Sequence, residues 1–464
     1  GRSRVTAAPL RIAIVGAGPS GFYAAEHLLK QDRPASVDLF DRLPTPFGLV
    51  RGGVAPDHPK IKSVTRIYDK VAAHPAFRFF GNVTAGRDIT ADELLRHYHA
   101  VVWAVGAEAD RALDIPGESL AGSHTATEFV GWYNGHPDFQ DRRFDLGQEA
   151  AAVVGVGNVA MDVTRILASD PDDRARADIA AHSLEALRAS RVRTIYLLGR
   201  RGPAQAAFTN PELKELGELP LADVIVRAED LELDAATRAS LEATPDREAE
   251  KNLKTLRAFQ ERGVLGRPRR IVLLFSTSPV RIEGQARVER LVVGANRLEA
   301  GPRGVQAVPT GQEEVLGVGL VFRSVGYRAL PVAGVPFDER RAVIPNEQGR
   351  VVAGGSAVPG CYVAGWIKRG PSGVIGTNKP DAVETIAALL EDADAGRLPT
   401  PTEADPGAVS ALLKGRGVEV VTWGDWQALD AHECAAGAAR GAPREKVTDT
   451  GEMLAVIRRA RQGS

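Results

Sequence analysis

Two glycine-rich turns carry the residues of this chain with the plainest chemical meaning. Gly16-Ala17-Gly18-Pro19-Ser20-Gly21 has the spacing G-x-G-x-x-G, and Gly155-Val156-Gly157-Asn158-Val159-Ala160 the variant G-x-G-x-x-A. Turns of this kind bind the pyrophosphate of a dinucleotide. The first glycine permits the tight bend, the second lets the backbone approach the phosphates, and the small third residue lets helix and strand pack closely. The following helix offers free N–H groups and the positive end of its dipole. Asp41, twenty residues after Gly21, is placed to bind ribose hydroxyls of a dinucleotide without a 2′-phosphate, FAD or NAD. The second copy ends instead in Gly199-Arg200-Arg201. An acid there would repel a 2′-phosphate, whereas two guanidiniums can pair with it, so this turn reads as an NADP(H) site. The plain alternative for the pair is a solvated surface. FAD and NADPH in one chain make a reductase plan, with hydride arriving from nicotinamide and leaving through flavin.

Such turns need a strand before them and a helix after. Leu10–Val15 is a short apolar strand running into Gly16, Phe22–Lys30 has helical spacing, and Val37–Asp41 reads as a second strand. Around the second turn the expected elements are a strand at Ala151–Val154, a helix at Met161–Ser169 and a closing strand at Thr194–Leu198. The 464 residues allow two or three domains, each able to bury its own core. With 44% hydrophobic and 25% charged residues the chain is ordinary for a globular protein. Its 58 Lys+Arg balance 59 Asp+Glu, which argues against a general nucleic-acid binder. Two distant cysteines, Cys361 and Cys434, exclude a disulfide framework, an iron–sulfur cluster and a Cys-x-x-Cys pair. Redox chemistry would therefore use a borrowed cofactor. No apolar signal core follows the basic opening Gly1-Arg2-Ser3-Arg4, and no run of about 18 apolar residues occurs. A cytoplasmic protein without a membrane span is expected.

Longer motifs add a family resemblance. Pro46-Phe47-Gly48-Leu49-Val50-Arg51, continuing to Gly53-Val54-Ala55-Pro56-Asp57-His58-Pro59, resembles the signature of adrenodoxin-reductase-type NADPH–ferredoxin reductases. The segment Gly155–Asp162 is similar to that family's NADP turn, and Gly199-Arg200-Arg201-Gly202-Pro203 to its 2′-phosphate clamp. The stretch from Gly365-Trp366-Ile367 to Gly376-Thr377-Asn378 resembles its second flavin-contact motif. The likeness covers essentially the whole chain, with a tail like that of the actinobacterial ferredoxin/flavodoxin reductase branch. It implies an α/β fold of two Rossmann-like dinucleotide-binding domains, the NADP domain inserted into a discontinuous FAD domain. The FAD domain would span 1–110 and 325–464, and the NADP domain 111–324. Val101–Ala107 then reads as a strand leaving the first domain, Ser324–Tyr327 as its return and Tyr362–Gly365 as a later flavin-side strand.

Carried over by position, Ser20, Asp41, Leu49, Val83, Trp366 and the Gly373-Val374-Ile375 backbone would contact FAD, beside the turn glycines Gly16, Gly18 and Gly21. Val156, Gly157, Asn158 and Val159 would hold the NADP pyrophosphate and Arg200 and Arg201 its 2′-phosphate. Glu212 and Gly373 would also reach NADP(H), which is the substrate; no metal is implied. The helix expected at Pro380–Leu390, opened by Gly370–Gly376, would aim its N-terminus at the flavin. His58 and Glu215 occupy positions that lie near nicotinamide and flavin in the family. Hydride transfer needs no acid or base, so they are expected to position the nicotinamide and tune the flavin. The plain alternatives are a satisfied loop histidine and a solvated helix charge. Glu212 and Glu215, three apart on the helix expected at Pro211–Leu219, share a face.

Three further stretches are quieter. Pro171–Arg193 reads as a helical insert on the NADP domain, and Trp423 to Arg459 as helices covering the FAD domain. Arg267-Pro268-Arg269-Arg270, with Arg281, Arg287 and Arg290, forms a basic zone that could dock an acidic ferredoxin-type iron–sulfur protein, the partner the family implies. An ordinary arginine-rich surface is the competing view. The expected function is a monomeric NADPH:ferredoxin oxidoreductase that feeds a haem monooxygenase or another iron–sulfur enzyme. Two alternatives stay open: a reductase of quinones or small acceptors, and a flavoprotein that senses NADP(H) without being reduced.

Overall fold

The computed structural model describes residues 9–370 and 377–463. The chain forms two compact units. The first comprises Gly1–Ala109, Tyr327–Ala439 and Pro443–Ser464, and the second Asp110–Gly326 with Arg440–Ala442.

The first unit is built on a seven-stranded sheet. Its order is Asn346–Glu347, Arg350–Ala353, Ser356–Val363, Ala100–Trp103, Leu10–Val15, Ala35–Phe40 and Phe77–Phe80. The last five strands run parallel and the first two join antiparallel at the edge. All six residues of Leu10–Val15 are buried, because both faces of the sheet are covered. Ile12 and Ile14 pack with Phe22, Trp426, Leu429 and Met453 on one face. Ala13 and Val15 pack with Phe80, Trp103, Ile344 and Leu413 on the other, as the two-residue period of a strand requires.

The tail is helical where expected, over Trp423–Ala438 and Thr450–Gln462. It ends in a polar lock that hydrophobic pattern alone does not reveal. Glu433 is fully buried and takes a two-pronged pair from Arg51 at 2.6 and 2.7 Å. Arg444 adds a third bond at 2.9 Å and the Val447 N–H a fourth at 2.8 Å. Both guanidiniums lie over the Trp426 ring, at 5.3 and 5.9 Å from its centre. Burial alone would raise the Glu433 carboxyl, but the charges of Arg51 and Arg444 hold it below the usual range.

The second unit carries a six-stranded, wholly parallel sheet. Its order is Ser123–Thr125, Leu320–Arg323, Ala150–Val154, Thr194–Leu198, Arg269–Leu274 and Ala222–Val226. The helical insert is present as Pro171–Arg174 and Ala181–Arg188, and Leu184 and Leu187 enter the core beneath it. The opposite face is covered by an antiparallel sheet of Thr277–Glu283, Arg290–Gly301 and Gly304–Leu316. It buries Ile282, Leu291, Val293 and Leu316 against Val154, Leu198 and Val321. Sequence reasoning missed this sheet. Its alternation is broken by register shifts at Pro279/Arg281 and Gly294/Asn296, so no clean two-residue period survives.

Most arginines of the expected basic zone have partners within the second unit. Arg267 donates to the carbonyls of Leu219 and Ala222, at 2.8 and 3.2 Å. Arg269 closes the C-terminal end of helix Asn158–Ala168, donating to the carbonyls of Leu167 and Ser169 at 2.7 and 2.9 Å. Arg281 pairs with Glu313 at 3.1 Å, Arg287 with Asp145 at 2.7 Å and Arg290 with Glu283 at 3.1 Å. Arg281, Arg287 and Arg290 are thus each matched by a carboxylate, Arg267 and Arg269 fasten backbone, and Arg270 stays exposed.

The Glu433 lock yields a stability prediction. Replacing it by glutamine leaves two guanidiniums facing a neutral amide, a loss of about 3–5 kcal/mol for a broken buried pair. Glu433→Gln should lower the thermal midpoint of the holoprotein by several degrees at neutral pH. The difference should shrink on acidification below the usual glutamate range, where the wild-type carboxylate also loses its charge. A midpoint within a degree of wild type would refute the lock.

Candidate functional site

In the first unit the site grows from the turn after strand Leu10–Val15. Gly16 adopts φ +116°, and a Cβ there would lie 2.1 Å from the Ala104 carbonyl oxygen. Gly21 is equally closed, since its Cβ would meet the Gly16 carbonyl oxygen at 1.9 Å. Gly18 is different: the nearest atom to its Cβ would be Gly48 Cα at 3.8 Å, so space for a ligand opens over it. The helix begins at Pro19, three residues before the expected Phe22, and no side chain caps it. Its head is thus free to receive an anion.

Three further segments meet this turn. Asp41 follows strand Ala35–Phe40, and its carboxylate accepts the N–H groups of Ala17 and Leu43, both at 2.9 Å. Burial outweighs these two bonds and pushes the carboxyl up to about 6. Val83, buried, donates its N–H to the Asp41 carbonyl at 2.9 Å. The loop at Phe47 is held by its N–H on the Ala17 carbonyl at 2.8 Å, which brings Gly48 over Gly18 and leaves Leu49 46% exposed. Phe47 itself adopts φ +84°, an uncommon state for a bulky residue, and is held in it by the Phe22, Tyr68 and Trp426 rings.

The third segment is the Trp366–Arg369 turn. A Cβ on Gly365 would lie 2.4 Å from Ser20 Oγ, so Trp366 is delivered beside the same helix head. Ser20 is buried and its Oγ bonds Asn378 Oδ1 at 3.1 Å, which also accepts from Arg369 at 2.9 Å. Asp381 takes the Gly365 N–H at 2.7 Å and the Lys368 ammonium at 2.9 Å, pinning the turn to helix Asn378–Asp394. That helix is longer at both ends than the expected Pro380–Leu390. The Trp366 ring stacks on Tyr327 at 5.7 Å. Gly373, Val374 and Ile375 lie outside the described residues. His58 belongs to this unit, half-buried, with its N–H on the Ala55 carbonyl at 3.0 Å.

The second unit repeats the turn. Gly155 adopts φ +132°, and its Cβ would lie 2.0 Å from the Ser324 carbonyl oxygen. A Cβ on Gly157 would meet nothing within 4 Å, again leaving open space before a helix without a side-chain cap. The helix spans Asn158–Ala168, starting three residues before the expected Met161. Val156 and Val159 turn their side chains onto the core, so only their backbone faces outward chemistry. Asn158 Oδ1 accepts the Thr209 N–H at 3.0 Å, which ties the turn to the next helix, Asn210–Gly217. Strand Thr194–Leu198 ends as expected, and Arg200 and Arg201 beyond it are exposed. The Arg201 guanidinium is steadied by the Val305 carbonyl at 3.2 Å.

Glu212 and Glu215 share a helix face as expected, but neither is a simply solvated charge. Arg165, only 1% exposed, pairs with Asp162 at 2.7 Å, Glu212 at 3.0 Å and Glu215 at 3.3 Å. This arginine was missed from sequence, although its spacing three residues after Asp162 on a mostly apolar helix was a signal. It fixes both glutamates at the site edge.

Comparisons with known proteins agree with this geometry. Residues 14–83 match the model of a NAD(P)-binding Rossmann-like domain. The chain is 47% identical over 458 residues to the NADPH-ferredoxin reductase FprA of Mycobacterium tuberculosis, covering 97% of this chain and 99% of that protein. It is 44% identical to the mitochondrial NADPH:adrenodoxin oxidoreductase of Salvelinus fontinalis, covering 97% of this chain and 91% of that one. The solved structure of Mycobacterium tuberculosis FprA in complex with NADPH superposes with a TM-score of 0.91 at 47% identity, over 97% of this chain and all (100%) of that chain. A full-length relationship at this level, on a chain with both nucleotide turns intact, makes this protein a member of the adrenodoxin-reductase-type NADPH–ferredoxin reductases.

Proposed function

We propose that this chain is an FAD-dependent NADPH:ferredoxin oxidoreductase, with FAD on the first unit and NADP(H) on the second. The observation that carries this reading is the contrast between two otherwise alike turns. Each presents an uncapped helix head across an open glycine, but one is completed by a carboxylate, Asp41, and the other by Arg200 and Arg201. A carboxylate suits free ribose hydroxyls, and two guanidiniums suit a 2′-phosphate. The open faces of Gly18 and Gly157 are what a pyrophosphate needs, so the residues present fit both nucleotides.

FAD, when bound, would accept one hydride, an electron pair, and release the two electrons singly, which nicotinamide cannot do. The chain's own residues supply binding and orientation. Ser20 and the helix head at Pro19 receive the flavin pyrophosphate, Asp41 its ribose, and Leu49, Val83 and Trp366 its rings. Val156, Gly157, Asn158 and Val159 hold the NADP pyrophosphate through the second helix head. Arg165 holds Glu212 and Glu215 in fixed rotamers, Glu212 for the nicotinamide nucleotide and Glu215 for positioning. His58 is likewise assigned a positioning role, and no proton needs to pass through either. A ferredoxin-type iron–sulfur protein would take the electrons, in keeping with a chain whose two cysteines cannot hold a cluster.

Three measurements test this reading. Mixed anaerobically with NADPH in a stopped-flow instrument, the flavin-loaded protein should lose its oxidised-flavin absorbance, and adding a ferredoxin should then support cytochrome c reduction. Unchanged absorbance would leave an NADP(H)-binding flavoprotein and refute the reductase. Replacing both Arg200 and Arg201 by alanine should raise KM for NADPH by about 10–100-fold and leave NADH turnover nearly unchanged. Equal losses with both cofactors would contradict the clamp. The third concerns Asp41, which loses its charge as pH falls through about 6 and then accepts hydrogen bonds poorly. FAD affinity should therefore drop roughly tenfold between about pH 7 and pH 5, and Asp41→Asn should flatten that dependence. A wild-type profile as flat as the variant's would remove Asp41 from the ribose site.

A further inference from the structure

The backbone of the Trp366–Arg369 turn is fixed from two directions. The Gly365 N–H is held by Asp381 at 2.7 Å, and the Ile367 carbonyl accepts the Ile344 N–H at 2.8 Å. Neither bond reaches the indole of Trp366. A turn of four residues offers no long helix face against which a large ring could settle. The two side-chain torsions of the tryptophan are therefore set by whatever packs against its ring.

Tyr327 supplies that packing. Its ring lies 5.7 Å from the Trp366 ring at an interplanar angle of 20°, a stacked pair. Such pairs favour one relative placement of the two rings beyond the area they bury. Tyr327 opens the two-residue strand Tyr327–Arg328, where the chain returns to the first unit. Both rings are half-buried and rest on the cluster that contains Val15, Phe80, Val83 and Trp103. Val83 is itself among the residues given to the flavin rings under the function proposed above. The indole is thus held between a tyrosine and the same apolar cluster that presents Val83.

We propose that Tyr327 is a positioning residue for the flavin, acting through Trp366 by covering one face of the indole and fixing its plane. The proposal rests on the reading of Trp366 as a flavin contact. Hydride transfer needs its two reacting atoms in a near-attack geometry, and a displacement of about 1 Å can cost about a hundredfold in rate. A loosely held indole lets the flavin rings shift by amounts of that order. The effect falls on the transfer step and not on capture of NADPH, because Tyr327 acts only through a residue on the flavin. The stack uses the tyrosine ring, and its hydroxyl is dispensable.

Flavin emission and NADPH turnover of three flavin-loaded variants, Tyr327→Leu, Tyr327→Phe and Trp366→Leu, decide the matter. Leucine keeps apolar volume without a ring to stack, whereas phenylalanine keeps the ring. An excited flavin takes an electron from an indole in contact with it and then returns it, which quenches emission. Emission per bound FAD, after removal of free flavin, therefore reports how closely the indole is held. Tyr327→Leu should brighten the flavin severalfold and lower kcat by about 3–10-fold, with KM for NADPH nearly unchanged. Tyr327→Phe should return both readouts to wild type. If Trp366→Leu brightens the flavin and Tyr327→Leu does not, the role of Tyr327 is overturned and the flavin reading of Trp366 stands. If neither brightens it, Trp366 is not at the flavin and both fall together. Emission from Tyr327→Phe as high as from Tyr327→Leu would also overturn the stack.

Discussion

In each unit a carbonyl oxygen stands where a side chain would have to be. The Ala104 oxygen lies 2.1 Å from any Cβ on Gly16, and the Ser324 oxygen 2.0 Å from any Cβ on Gly155. In both cases the carbonyl follows the parallel strand adjacent to the one that feeds the turn. That closeness fixes where the chain must bend, and the positive φ it demands excludes nearly every residue but glycine. Once the bend is fixed, the helix must start within three residues, and its uncapped N–H groups point into the space over the second glycine. The anion site is therefore a consequence of strand packing, before any charged side chain is placed.

Side-chain charges then act as specifiers and fasteners, and burial distinguishes the two. Arg200 and Arg201 are exposed, where the proposed function gives them the choice between nucleotides. Arg165 and Glu433 are buried and hold segments together, the first joining two helices at the glutamates and the second joining the tail to the loop around Arg51. A buried ion pair is weak as a source of stability, because desolvation offsets most of the attraction, but it strongly favours one arrangement over its alternatives. Here the arrangement that is favoured is the placement of segments near the two glycine-rich turns. Lys446 supports this, since its ammonium donates to the Arg51 carbonyl at 2.9 Å and fixes the backbone of the same loop.

What could be read from sequence follows the range of the interactions. The turns, their strands, Asp41 and the arginine pair were legible because each depends on neighbours within one strand–helix–strand unit. The helix starts are less legible: Pro19 and Asn158 each open a helix three residues before its apolar spacing begins. Glu433 was invisible, since its partner Arg51 lies 382 positions away and nothing local marks either. The antiparallel sheet of the second unit is illegible for a different reason: its bulges break the two-residue period. The bonds from the Arg267 and Arg269 guanidiniums to carbonyls 48 and 102 residues away are tertiary facts with no sequence signature.

The two sites also differ in how they are enclosed, and that difference bears on which nucleotide stays and which exchanges. Over the first turn three separate segments converge: the Phe47–Leu49 loop, the Gly365–Trp366 turn and Asn378 at a helix head. Each is pinned by buried bonds to Ala17, Ser20 or Asp381, so a ligand held beneath them would have to break ordered structure to leave. Over the second turn the specifying arginines are exposed, and Arg201 is held only through one carbonyl of a surface hairpin. Exposed cations attract a charged ligand quickly and release it readily as salt and water compete. Under the proposed function, these two enclosures suit a resident flavin and an exchanging NADP(H).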